Sequence, residues 1–366
     1  MHFSIQREVL LKPLQQVIGV VERRQTLPVL SNLLVVSGSG KVSFTGTDLE
    51  VEMSASVDAV DADAGEVTIP ARKLFDICRA LPDGSKIQFK LANDRVTVSS
   101  GRSRFTLATL AATEFPVIEN IEVLEKITLP KNTLKELMDR TAFAMANQDV
   151  RYYLNGLLLD LREKSLRCVA TDGHRLAMSE TALEGGKAAQ RQIIIPRKGV
   201  VELQGLFESG EGDVELQFGR NHLRVRHNDV VFTSKLIDGR FPDYEAVVPI
   251  GADKEVHIGR ESLRGALQRA AILSNEKYRG VKLEVSPGKL RIVAHNPEQE
   301  EAVEELEART GVNELSVGFN VNYLQDALNA LQGEEVLLCL RDANSSCLLR
   351  IPGSEQSRHV IMPLRL

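Results

Sequence analysis

The feature that most limits how this chain can fold is a repeat. Three segments, Phe44-Thr45-Gly46-Thr47-Asp48-Leu49, Cys168-Val169-Ala170-Thr171-Asp172-Gly173 and Ile292-Val293-Ala294-His295-Asn296-Pro297, place Asp48, Asp172 and Asn296 at steps of 124 residues. A period of that length means one folding unit used three times. The flanks agree. Upstream of each segment runs an amphipathic helical pattern: Leu10, Leu11, Leu14, Val17, Ile18 and Val21, then Leu134, Leu137, Met138, Thr141, Ala142 and Met145, then Leu263, Ala266, Leu267, Ala270 and Ala271. Spacings of three and four lay one apolar stripe against a sheet. Downstream, Pro70-Ala71-Arg72-Lys73, Pro196-Arg197-Lys198-Gly199 and Asn320-Val321-Asn322-Tyr323 open a second, shorter helix. Proline costs nothing there, because a first helical position has no use for its missing N–H. β-rich runs fill the remainder, among them 33–36, 42–45, 156–161, 166–170, 281–285 and 290–294, with turn signals such as Ser286-Pro287-Gly288.

The expected fold is therefore α+β: three tandem units, each two helices on an antiparallel sheet, over residues 1–125, 126–251 and 252–366. Such a sheet leaves an open edge at each end. Tandem copies can pair those edges head to tail, and the same contact reused between chains closes a ring.

Charge bears on what the units face. The helical segments 7–24, 71–81, 131–148, 197–207, 260–277 and 320–331 together carry +7, although the chain carries −5. Strands and loops are therefore acidic, most densely over 298–307. One reading is an ordinary solvated surface; the other is a shared helical face toward a polyanion, bound through phosphates without sequence readout. No run of eighteen apolar residues exists, and the first residues lack the basic stretch and apolar core of a signal peptide. Cys78, Cys168, Cys339 and Cys347 form no CxxC pair or zinc spacing. Reduced, buried thiols in a cytoplasmic protein are expected, with no cofactor or metal.

Thr171-Asp172-Gly173-His174 invites an enzymatic reading, with Asp172 orienting His174 as a general base. No nucleophile-elbow pattern or metal spacing accompanies it, and Asp-Gly is first of all a turn in which Asp caps its own backbone.

Longer motifs go further. Thr26-Leu27-Pro28, Gln148-Asp149-Val150-Arg151-Tyr152-Tyr153-Leu154-Asn155-Gly156, Ala170-Thr171-Asp172-Gly173-His174-Arg175-Leu176, Phe241-Pro242-Asp243-Tyr244, Ile272-Leu273-Ser274-Asn275-Glu276-Lys277 and Met362-Pro363-Leu364-Arg365-Leu366 span all three units. In these the chain resembles the bacterial DNA polymerase III β subunit family, the β sliding clamps. That resemblance implies a non-catalytic processivity factor: a head-to-tail homodimer forming a closed six-unit ring, with helices lining a hole for duplex DNA. It implies DNA contact by Arg24, Arg72, Gln148, Tyr152, Tyr153, Arg197 and Lys198. It implies a groove for short peptide motifs of the polymerase III catalytic subunit, the clamp loader, other polymerases and repair proteins. The matching groove positions are Leu154, Thr171, Gly173, His174, Arg175, Leu176, Pro242, Val247, Val360, Met362, Pro363, Leu364 and Arg365. The ring joint would join Lys73, Phe105 and Leu107 to Ile272, Leu273, Glu300, Glu301 and Glu304. Ala246 stands where the family often has arginine, and Asn147 and Val303 stand where some relatives carry histidine and an acid.

Overall fold

In the computed structural model, residues 1–22, 27–118, 121–184 and 188–365 are described. Each third of the chain begins its first helix on a cation. α1 (Arg7–Val17), α3 (Lys131–Asp139) and α5 (Arg260–Ala270) start with Arg7, Lys131 and Arg260. Each of these side chains reaches carbonyls at or beyond the end of the second helix of its own third: α2 (Ala71–Ala80), α4 (Arg197–Leu206) and α6 (Val321–Ala330), with those reached by Lys131 three and four residues past α4. Arg7 Nε donates to Cys78 O and Nη2 to Arg79 O, both at 3.0 Å. Arg260 Nη1 donates to Leu328 O at 2.9 Å and Leu331 O at 3.2 Å. Lys131 Nζ donates to Ser209 O at 3.4 Å and to Gly210 O. Cys78, Arg79 and Leu328 offer carbonyls from the last turn of a helix, at its negative end and without a partner within it, so a cation is well placed there.

The helical patterns expected to run through Val21 and Met145 stop early, at Val17 and Asp139. In the second third the reason is local. Thr141 Oγ1 takes the Leu137 carbonyl at 2.6 Å, a side-chain bond that competes with the helix, and a 3-10 turn (Ala142–Ala144) follows.

Among the described residues all strand pairing is antiparallel and falls into four sheets. One four-stranded sheet runs, in spatial order, His2–Gln6, Lys86–Ala92, Arg95–Ser100, Ser103–Ala108. An eight-stranded sheet runs Gly65–Pro70, Asn32–Gly38, Lys41–Thr47, Val51–Asp58, Val230–Lys235, His222–His227, Asp213–Phe218, Glu125–Pro130. A second eight-stranded sheet runs Arg191–Pro196, Gly156–Leu161, Ser165–Thr171, Arg175–Ala182, Ser357–Ile361, Cys347–Arg350, Glu335–Leu340, Lys254–Gly259. The last has four strands, Glu301–Glu307, Lys289–His295, Gly280–Ser286, Leu315–Asn320.

Both eight-stranded sheets are two half-sheets from successive thirds, joined edge to edge. Val51–Asp58 meets Val230–Lys235 with Ala55 opposite Val230, and Arg175–Ala182 meets Ser357–Ile361 with Ser179 opposite Ser357. The compact units of the chain follow these joints rather than the repeat. One comprises Met1–Asn132 with Lys198–Leu236, the other Thr133–Arg197 with Ile237–Leu366. Within the first, Phe3 stacks on Phe89 with ring centroids 4.5 Å apart. Within the second, Leu263, Leu267, Leu324 and Leu328 bury their helix stripes against Leu283, Ile292, Leu338 and Leu349 of the sheets.

Candidate functional site

The repeated segments are turns built alike. Asp48 Oδ1 accepts from Glu50 N at 2.9 Å and Val51 N at 2.7 Å, and Asp172 Oδ1 accepts from His174 N at 2.9 Å and Arg175 N at 3.0 Å. Asn296 Oδ1 accepts from Glu300 N at 2.9 Å. The other oxygen of Asp172 pairs with Arg175 Nε at 3.1 Å, while the His174 ring stacks on Tyr323 at 6.5 Å. The carboxylate is thus spent on its own backbone and on arginine, which leaves no aspartate–histidine dyad.

Beside the second turn lies a cavity of about 210 Å³. Its floor comes from a strand joint, where Leu176 faces Val360 across the pairing of Arg175–Ala182 with Ser357–Ile361. Leu154, at the end of the 3-10 turn Tyr152–Leu154, Thr171, the wall segment Pro242, Tyr244 and Val247, and Met362 complete the lining. Leu154, Leu176, Tyr244 and Val360 are buried, and Val247 and Met362 are exposed. Of the expected groove residues, Leu154, Thr171, Gly173, Arg175, Leu176, Pro242, Val247, Val360 and Met362 line this cavity. His174, Pro363, Leu364 and Arg365 are outside the described lining; Leu364 N donates to Gly318 O at 2.8 Å. Arg151, Tyr153 and Tyr244 line it without having been assigned to it from sequence. Tyr244 had a signal, two residues beyond Pro242 in the same motif.

Two arginines frame the cavity. Arg175 reaches Asp326 at 2.5 Å and Phe143 O at 2.9 Å, with its guanidinium 4.5 Å from the Tyr323 ring centroid. Arg151 forks onto Asp149, at 3.0 and 2.8 Å, and its hydrogen bond holds the Asp149 carboxyl down to about 2. Its guanidinium also lies over Gly173, where an added Cβ would sit 2.9 Å from Nη1. Gly173 has φ +89°, a left-handed backbone that favours glycine, and a side chain there would have to displace the tip of Arg151.

The residues expected at DNA fall in two places. Gln148, Tyr152, Tyr153 and Arg197 lie in the second unit. Tyr152 is exposed and meets Tyr153 edge to face at 5.9 Å, and Arg197 Nη1 donates to Met145 O at 3.4 Å. Asn155 straps this loop, accepting from Asp149 N and donating to Asp149 O, both at 2.9 Å. In the first unit Arg72 is exposed and donates to Val21 O at 3.0 Å. Lys198 is committed within the fold: its ammonium bonds Glu22 at 2.8 Å, Val20 O at 3.2 Å and the Asp48 carboxylate. Arg24 lies outside the described residues.

Four of the expected joint residues sit on outer strands of the two four-stranded sheets. Phe105 and Leu107 belong to the Ser103–Ala108 edge strand, with Lys73 exposed on α2. Glu301 and Glu304 belong to the Glu301–Glu307 edge strand, and Glu300 precedes it. Ile272 is 77% exposed and Leu273 half-buried, while Glu304 is held by Arg269 at 2.7 Å.

The DNA polymerase III beta subunit N-terminal, central and C-terminal domains match residues 1–119, 128–243 and 245–365. The beta sliding clamp of Pseudomonas putida is 51% identical and that of Escherichia coli K12 49% identical, each over 100% of both chains. The crystal structure of the Pseudomonas aeruginosa DNA polymerase III subunit beta superposes with TM-score 0.98 at 51% identity, covering 100% of both chains. So does the same organism's clamp bound to griselimycin, also with TM-score 0.98.

Proposed function

The chain belongs to the DNA polymerase III β subunit family, and on that footing we propose that two copies close head to tail around duplex DNA. It acts as a DNA sliding clamp, a non-catalytic processivity factor that tethers the replicative polymerase. Its fold is the three-domain clamp fold, and we assign the domains to 1–125, 126–251 and 252–366.

The observation that carries ring closure is the pair of half-sheet edges. Both internal joints use the strand types that remain at Ser103–Ala108 and Glu301–Glu307. The third turn is one residue longer than the first, since Asn296 N bonds Glu300 O where Asp48 N bonds Val51 O. With that allowance, the two internal registers project onto one pairing between copies: Ser103 opposite Glu304, Phe105 opposite Ala302, Leu107 opposite Glu300. Phe105 and Leu107 then turn toward the core side, and Arg102 and Arg104 come beside Glu301 and Glu305 on the outer face. Opposite charges on the rim would set partner and direction.

Arg24, Arg72 on α2, Arg197 on α4, and Gln148, Tyr152 and Tyr153 of the loop before Gly156–Leu161 would face the DNA, in the cytoplasm. Much of the helical charge is engaged in caps and ion pairs, Lys198 included, so few cations remain for phosphate. Weak contact suits a protein that slides. The cavity takes an extended apolar peptide segment from polymerases, the clamp loader and repair proteins, a mode served by a preformed apolar pocket. Griselimycin, bound by a relative, should enter the same cavity.

The test joins Ser103→Cys to Glu304→Cys in one chain. Oxidation should give a covalent dimer closed at both joints. Loaded on circular DNA, that ring should resist high salt and leave once the DNA is cut. Absence of the cross-link, or equal retention on cut and circular DNA, would overturn the ring.

A further inference from the structure

The 241–248 wall of the groove has a polar back. Tyr244 turns its ring to the cavity and its hydroxyl away from it. That O–H donates to Asp160 Oδ2 at 2.5 Å, and the oxygen accepts from Arg162 Nη2 at 2.9 Å and Arg167 Nη1 at 3.3 Å. The next residue, Glu245, pairs with both guanidiniums, at 3.1 Å to Arg162 and 2.6 Å to Arg167. Arg162 also pairs with Asp160 at 2.9 Å, and Arg167 with Glu180 at 2.8 Å. Asp160 is only 4% exposed. Apart from Tyr244, none of these residues lines the cavity.

The wall needs such an anchor. It belongs to no strand, and its one regular element is the 3-10 turn Glu245–Val247. Its own backbone bonds are long, Val247 N to Tyr244 O at 3.2 Å and Val248 N to Glu245 O at 3.3 Å. A segment without ladder bonds keeps its place through side chains. Here a network of buried and half-buried charges does what a sheet does elsewhere.

We infer that Arg167 is a positioning residue for the groove, holding Tyr244 and Glu245 so that the wall stands ready for an apolar ligand it never touches. Asp160 and Arg162 complete the same clamp. The inference rests on the groove reading above, because it says how that groove is kept in shape. Preorganised walls bind more tightly because less order is lost on binding. Removing Arg167 also leaves Glu180 and Glu245 without their shared cation.

The experiment measures griselimycin affinity by calorimetry on the full-length chain, with amide hydrogen exchange of the free protein. Arg167→Met should weaken binding by about tenfold, the scale of one lost charged hydrogen bond, and should speed exchange at Val247 and Val248. Arg167→Lys should recover part of both effects. Tyr244→Phe keeps the ring against the ligand and removes only the hydroxyl; it should shift affinity and exchange in the same direction by less. Unchanged affinity and unchanged exchange at Val247 and Val248 in Arg167→Met and Tyr244→Phe would overturn the inference. So would a fall in melting temperature alone. If the unsubstituted chain fails to bind griselimycin, the groove reading falls, while the exchange comparison still decides whether Arg167 holds the wall.

Discussion

Leu49 and Gly173 occupy the same place in two copies of one turn, and only one of them suits it. Gly173 has φ +89° and Leu49 has φ +79°, a left-handed backbone that costs a side-chain-bearing residue about 1–2 kcal/mol. Leu49→Gly should therefore raise stability by up to about 1 kcal/mol, after the added freedom of glycine in the unfolded chain is set against it; a lower urea midpoint would contradict this. His359 offers a pH-dependent case. It is buried in the Ser357–Ile361 strand, edge-on to Phe143 at 5.4 Å, and burial pushes its imidazole down to about 4. Unfolded, it would titrate near 6.5, so below that pH the unfolded chain binds the extra proton. Stability present above about pH 6.5 should be lost as pH falls toward 4, by roughly 3 kcal/mol in all. His359→Gln should flatten that loss in urea titrations; an unchanged slope would show that other groups carry it. The turn residues were legible in sequence because Asp-Gly has few other uses. The partners of Arg175 and Tyr244 were not, since Asp326 and Asp160 are distant in the chain and nothing local marks them.

At the level of elements, periodicity located the helices and most strands, and it overestimated the helical charge available to a ligand. Arg7, Lys131 and Arg260 count as helix cations, yet each is spent on carbonyls at or just beyond the end of a neighbouring helix. Arg260→Ala should cost about 2 kcal/mol in chemical denaturation, since charged hydrogen bonds to buried carbonyls are lost. Arg264→Ala, which removes only an exposed pair with Glu261, should cost under about 0.5 kcal/mol. Equal effects would remove the capping argument. The strands Val51–Asp58 and Arg175–Ala182 escaped the reading although Val51, Met53 and Ala55 alternate inward. Small polar residues between them weaken the signal, and these are the strands that join successive thirds.

For the whole molecule, the period implied repeated units but not how they join; the sheet order supplies that. In the Glu301–Glu307 strand, the bond from Asn296 N to Glu300 O sets the alternation, which turns the N–H of Val303 toward the free edge. Proline is tolerated at such a site. Val303→Pro should thus keep the fold and its melting temperature within a few degrees, yet sediment as a monomer; persistent dimer would exclude this edge as the joint. The shared sheets also impose an order of events in time. Val51–Asp58 pairs with a strand about 175 residues further along, and Arg175–Ala182 waits for one about as distant. At about 5–20 residues per second, a ribosome leaves each edge uncovered for roughly 10–35 s. The nascent chain thus carries an adhesive strand through most of its synthesis, and in the proposed ring the last such edge would be covered only when another finished chain arrives.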